Sequence, residues 1–370
     1  MRAYLLMIAI TAVVTFIATH IVIKLTRKYK IYPEIRSRDS HSVPTPRLGG
    51  LGMFVGFLVA MGIAASLGWF KSVFVQGGPI LGVLIAASII SVLGALDDVF
   101  DLDWMLKLGG QFVAAGILAW NGVQIVSLPI GGITIGSFGM SFVVSVFLTV
   151  LIMNAVNFID GLDGLVAGVV LIGTSTFFVY SYLLAQKTTP SNYFSLASLI
   201  SAIVIGMCIG FLPHNWRPAK IFMGDSGALL LALLMTTSAV SVTGQLDPAF
   251  IAQSNLMPAF LPMILPLAIL VLPLLDFTLA ILRRLRAGKS PFAADRQHLH
   301  HRLQDFGHGH LGSVIVFYVW TLLISATCLL LFLAPAHWAI AFGVTGTVLA
   351  LLYTVWPLLI HKLHQRKVGN

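Results

Sequence analysis

The chain has 370 residues, 58% of them apolar and 9% charged, against about 25% charged residues in an average globular protein. This excludes a water-soluble globular protein and reads as an integral membrane protein. The formal charge of +9 is explained by topology and by attraction to anionic headgroups and substrates, so no nucleic-acid partner is invoked.

Apolar runs long enough to cross a ~30 Å hydrocarbon core lie near residues 3–23, 48–69, 79–96, 108–126, 137–156, 164–184, 195–213, 225–243, 258–282, 312–333 and 336–360. The expectation is an all-α polytopic membrane protein of about eleven transmembrane helices, a single domain over residues 1–370. The first run is followed by a basic loop and not by a small-residue cleavage site, so it reads as a retained helix. With the N-terminus outside, every lysine and arginine except Arg2, Lys71 and Lys187 falls on the inward side, which predicts an N-out, C-in topology. The stretch Val123 to Phe138, with Gly131-Gly132 at its centre, reads as a small external β-hairpin. Cys208 and Cys328 lie in apolar runs, without spacing for a disulfide or a metal site.

The acidic residues also gather on the inward side, which the positive-inside rule does not require. Asp97, Asp98, Asp101, Asp103, Asp160, Asp163 and Asp225 all sit at inward ends of spans, implying a site on the cytoplasmic face. Four inward segments carry its chemistry.

RSRDSHSVPTPRLGGLG, from Arg36, leads into the second span, and Arg38, His41 and Arg47 are candidates for an anionic ligand or serve topology alone. In GALDDVFDLDWMLK the adjacent Asp97 and Asp98 repel, so one of them needs a cation, a donor or a raised pKa. Lys107 or a nucleotide-borne divalent metal would supply the cation; a solvated acidic loop is the alternative. NAVNFIDGLDG places Asn154, Asn157, Asp160 and Asp163 three residues apart where lipid is expected, with Gly161 and Gly164 able to open the helix. A polar turn ending the span is the competing account.

IFMGDSGALL begins a span with Gly224 and Gly227 around Asp225, offering free N–H groups to a phosphate and a hard oxygen ligand to Mg2+, or simply an N-cap. The cytoplasmic loop 283–311 carries PFAADRQHLHHRL, in which His298, His300, His301 and Arg302 can present several donors to a diphosphate. Zinc is a poorer fit, since no cysteine or spaced carboxylate completes a tetrahedral set there. Asp276, upstream, reads as the partner of Arg283 or Arg284. Neither a G-x-x-x-x-G-K-[ST] loop nor a G-x-S-x-G elbow is present.

The ordered set LDDVFDL, NAVNFIDGLDGL, FMGDSGALLL and DRQHLHHRL resembles the polyprenyl-phosphate N-acetylhexosamine-1-phosphate transferases, from about Arg36 to Leu303. The histidine pattern resembles the bacterial branch using UDP-GlcNAc. The branch using UDP-MurNAc-pentapeptide usually has three consecutive histidines followed by an acidic residue. The resemblance implies transfer of GlcNAc-1-phosphate from UDP-GlcNAc to undecaprenyl or decaprenyl phosphate, with release of UMP. It implies Mg2+, with Mn2+ as alternative, held by Asn157 and Asp225. It implies catalytic roles for Asp97, Asp98, Asp160 and Asp163. Substrate contacts would come from Lys107, Asn154, His298, His300, His301, Arg302 and, less closely matched, His41. The alternatives are phospho-MurNAc-pentapeptide transfer, or a membrane transporter or binder without catalysis. Membrane lipid is the surrounding partner, and a homodimer is left open.

Overall fold

A computed structural model describes residues 1–32, 45–75, 77–125, 137–188, 194–243, 271–286, 288, 299, 303–304 and 307–368. In chain order the helices are α1 (Arg2–Lys28), α2 (Gly49–Ser66), the short α3 (Lys71–Val75), α4 (Gly77–Phe100), α5 (Trp104–Trp120) and α6 (Phe138–Phe158). They continue with α7 (Leu165–Thr188), α8 (Leu196–Asn215), α9 (Gly224–Thr243), α10 (Val271–Arg286), α11 (His310–Leu333) and α12 (Ala336–Val368). Among the described residues no strand occurs, and nine helices are long and apolar enough to cross a membrane. A backbone that satisfies its own hydrogen bonds is what hydrocarbon requires.

Ten of the eleven expected runs coincide with α1, α2, α4–α9, α11 and α12. The run at 108–126 appears as α5, starting earlier and only 17 residues long, about 26 Å at 1.5 Å per residue. Asp103 sets that start, because its carboxylate caps the helix by accepting from the N–H of Met105 at 2.9 Å. The run at 258–282 falls largely outside the described residues, which resume with α10. The expected hairpin at 123–138 falls outside them over 126–136.

Helix α9 is the axis of the bundle. It packs against α2, α4, α6, α7 and α8, and 89% of its membrane-spanning window is buried, compared with 11% for α12. Lipid tails give helices no hydrophobic reason to associate, so close backbone packing has to do so. Small residues supply it. α1 lies between α2 and α8, where Gly52 and Gly56 face Thr19 and Thr15, and Gly206 and Gly210 face the α1 backbone at Ile8 and Ala12. Gly94 of α4 lies against the backbone of Asp225 and Ser226, so a Cβ there would enter the first turn of α9.

The two ends of the bundle are built differently. At one end the Met1 ammonium donates to the Tyr182 hydroxyl at 3.1 Å, and the Ser195 N–H donates to the Tyr4 hydroxyl at 3.1 Å. That closes α1, α7 and α8 with two tyrosine hydroxyls and no carboxylate. The opposite end holds the C-termini of α4 and α6 and the N-termini of α5 and α9, and there the acidic residues collect. We expect Gly94→Val to destabilise the protein by about 1–3 kcal/mol through overpacking of α4 on α9, read as a lower thermal midpoint in detergent. An unchanged midpoint would remove this contact as a determinant of the site.

Candidate active site

Asp97 and Asp98 stand on the last turn of α4, Lys107 on the first turn of α5, Asn154 and Asn157 near the end of α6, and Asp225 at the start of α9. What holds them together begins with the free N–H groups that every helix start leaves. The Asp98 carboxylate, from a different helix, accepts from the N–H of Asp225 at 2.9 Å and from that of Ser226 at 3.2 Å. It thereby places an anion at the positive end of α9. Gly224 makes the approach feasible, with φ at +69° and a vacant Cβ position that would collide with the Arg47 carbonyl and the Asp98 carboxylate.

Lys107 bridges the acidic groups. Its ammonium pairs with the Asp97 carboxylate at 3.2 Å and with Asp225 in direct contact. The Asn157 amide donates to the other Asp225 oxygen at 2.8 Å. Asp97 has a second task, accepting from the Leu102 N–H at 3.1 Å and so turning the chain from α4 into α5. One turn deeper, the Asn154 amide donates to Gln111 at 2.5 Å and to the Val150 carbonyl at 2.8 Å.

Two chain segments close over this layer. Residues 46–50 run beside 222–223: Phe222 N–H donates to the Pro46 carbonyl at 2.8 Å, while Gly49 and Gly50 donate to Phe222 and Met223 at 3.0 and 2.9 Å. This brings the charge of Arg47 to bear on Asp160. The turn between α6 and α7 is clamped at Gly164, whose N–H donates to Asn215 at 2.9 Å and whose carbonyl accepts from the Tyr318 hydroxyl at 2.6 Å. Asp163, buried in the same turn, accepts from the Ala219 N–H at 3.2 Å. Burial pushes the Asp160 carboxyl up to about 7; the Asp98 charge raises it further, Arg47 opposes, and Asp163 adds to the rise.

A family model described as Glycosyl transferase family 4 matches residues 80–243, the stretch that contains all of these carboxylates and amides. The decaprenyl-phosphate N-acetylglucosaminephosphotransferase of Mycobacterium leprae is 38% identical over 315 residues, covering 84% of this chain and 79% of that protein. The protein of the same name from Mycolicibacterium smegmatis is 37% identical over 355 residues, covering 94% and 87%. The chain belongs to this family. A more distant member, the undecaprenyl-phosphate alpha-N-acetylglucosaminyl 1-phosphate transferase of Thermotoga maritima, is 29% identical over 293 residues, covering 78% of each chain.

The structure therefore brings Asp97, Asp98, Lys107, Asn154, Asn157, Asp160, Asp163 and Asp225 of this family member to one end of the bundle. His41, His298, His300, His301 and Arg302 lie outside the described residues, as does the side chain of Asp276. Three participants escaped the motif reading, and a fourth, Arg284, was read only as a partner for Asp276. Asn215 and Tyr318 act through the backbone of Gly164, which no side-chain pattern signals. Arg284 is 5% exposed and its guanidinium lies 5.5 Å from the Phe158 ring, a cation–π contact at the end of α6. Gln111 is a lone amide in an apolar run; its spacing of four from Lys107 was the available signal.

The raised Asp160 carboxyl gives a sign to the pH dependence of stability. An aspartate titrates near 3.9 when unfolded, so between about pH 4 and pH 7 the native state keeps a proton that the unfolded chain has lost. Stability of the protein in EDTA should fall as pH rises through that window and level off above it. Asp160→Asn should remove this part of the slope. Melting curves with the same slope in the variant would show that another group titrates.

Proposed function

We propose that the chain transfers GlcNAc-1-phosphate from UDP-GlcNAc to a membrane polyprenyl phosphate, releasing UMP and leaving polyprenyl-diphosphate-GlcNAc. This would be the first lipid-linked step of envelope polysaccharide synthesis. The named activities of the M. leprae and M. smegmatis relatives support the reading. The observation that carries it is the Asp97–Lys107–Asp225–Asn157 layer at one end of an apolar bundle, where a lipid phosphate and a water-soluble nucleotide can meet. We place that end on the cytoplasmic side of the plasma membrane, in an N-out, C-in chain, because the lysines and arginines favour it.

In the proposed reaction an oxygen of the polyprenyl phosphate attacks the β-phosphorus of UDP-GlcNAc. The bond from that phosphorus to the bridging oxygen breaks, and UMP leaves with the electron pair. A phosphate monoester has its second pKa near ~6, so the attacking oxygen is already largely deprotonated at neutral pH and needs no strong base. This frees Asp98 for what its geometry supports, anchoring the start of α9. Lys107 is suited to leave its carboxylates and meet the incoming phosphates, since attraction at close range in a poorly solvated site is strong. Asp163, Asn215 and Tyr318 keep the α6–α7 turn closed around the reacting groups. We assign His298, His300, His301, Arg302 and His41 to the diphosphate and the acceptor on the strength of the motif resemblance.

Asn157 and Asp225 are neighbouring side chains, joined by the Asn157 amide N–H donating to the Asp225 carboxylate, and an amide that turned its oxygen to the ion would make with that carboxylate a hard-donor pair fit for Mg2+ or Mn2+. Among the described residues no group of three His, Cys, Asp or Glu side chains could hold a metal. Two protein ligands, with the rest from substrate phosphates and water, is a common way for Mg2+ to be held. When bound, the ion would offset the charge developing on the diphosphate.

The test is UMP release by purified protein given undecaprenyl or decaprenyl phosphate and Mg2+ with UDP-GlcNAc, UDP-GalNAc or UDP-MurNAc-pentapeptide in parallel. Turnover should require UDP-GlcNAc, and Asp225→Ala or Asn157→Ala should lower it by roughly 10²-fold or more. Turnover of the pentapeptide donor instead, or full activity in Asp225→Ala, would refute the assignment.

A further inference from the structure

Lys107 and Gln111 are four residues apart on α5, and Asn157 and Asn154 three apart on α6, so each pair shares a helix face. Below the ion-paired layer the two helices therefore carry a second polar layer, made of Gln111 and Asn154. Both hydrogens of the Asn154 amide are committed, one to Gln111 Oε1 at 2.5 Å and one to the carbonyl of Val150 on its own helix at 2.8 Å. This fixes which way the amide faces. Gln111 is 1% exposed, and its Nε2 has no hydrogen-bond partner among the described residues.

A buried donor without an acceptor costs stability, whereas a methionine or leucine would fill the same volume without that cost. Helix association alone is a poor reason for this glutamine, because α5 and α6 also meet through apolar rings such as Phe112 and Phe147, 5.4 Å apart. What only Gln111 supplies is an oxygen to Asn154, one turn from the residue that touches Asp225. We infer that Gln111 is a positioning residue of the transfer site: its Oε1 holds Asn154, and through it the rotation of the last turns of α6 that delivers the Asn157 amide to Asp225.

This rests on the transfer reaction proposed above, and wild-type UMP release in the same assay tests that reading separately. Gln111→Met, which keeps the volume and removes both hydrogen-bonding atoms, should lower kcat about 10-fold, as loss of a supporting contact does. The KM for UDP-GlcNAc should stay within about twofold, since ground-state binding is not what the contact serves. The melting temperature should not fall. Gln111→Glu, which keeps an oxygen for Asn154, should recover most of the lost turnover. Gln111→Met/Asn154→Ala should be no slower than the slower single variant, because both break one contact.

If the methionine variant does not fold, Gln111→Asn replaces it, breaking the contact by shortening the side chain while keeping an amide. Wild-type kcat in these disrupting variants would overturn the inference. So would a loss matched by the loss of folded protein, a glutamate variant as slow as the methionine one, or effects that multiply in the double variant.

Discussion

The ammonium of Lys107 is the charge on which the acidic end of the bundle depends. Asp97 and Asp225 come from helices far apart in sequence, and two carboxylates beside hydrocarbon repel each other and lose solvation. Lys107 contacts both, so α4 and α9 are joined by a charge carried on α5. Asn157 then supplies a neutral donor to the remaining Asp225 oxygen and ties α6 into the same arrangement. Four helices are thus registered at one level by a cation and an amide.

That register has to be rigid, and the start of α9 shows how this is done without many polar contacts. The helix leaves two N–H groups that Asp98 satisfies from α4, and glycines at positions 94 and 224 let the two backbones come close enough for a short side chain to reach. A lysine or glutamate at 98 would be too long for this approach, and any side chain at 224 would displace it. Burial raises the Asp160 carboxyl, and the same carboxylate that caps the helix adds to that rise. Fold and site electrostatics here share one residue.

Much of this was legible in the sequence because membrane depth makes polarity conspicuous. Asn154, Asn157, Asp160 and Asp163 stand out against the apolar residues before and after them, and charge sorting placed the acidic motifs at one end before any contact was known. The tasks within the cluster were less legible. Asp97 and Asp98 are equivalent in sequence, yet one pairs with Lys107 and the other caps α9, a division set by which neighbour each rotamer reaches. Gln111 was hidden for the opposite reason, since one amide in an apolar run reads as ordinary helix packing. Asp103 shows how a cap moves a boundary: hydropathy placed the span at 108–126, but a helix begins where its first N–H groups find an acceptor, not where its apolar run begins.

Charge balance connects this arrangement to the proposed chemistry. Asp97, Asp98, Asp160, Asp163 and Asp225 are five carboxylates gathered at one end of the bundle, and among the described residues Lys107 touches two of them while Arg47 acts on Asp160. Asp97 and Asp225 share the single ammonium of Lys107, so this layer carries more negative than positive charge, an unfavourable setting in which to bring together a lipid phosphate and a nucleotide diphosphate. A site that only bound anions would have been built from arginines and helix N-termini. The divalent cation proposed above would suit such a layer, since on arriving with the substrate it would give the anions of protein and substrate one shared counter-charge. On that proposal Lys107, which pairs with Asp225 here, would neutralise it until the substrate arrives, and its long, flexible stem would let the ammonium turn to phosphate.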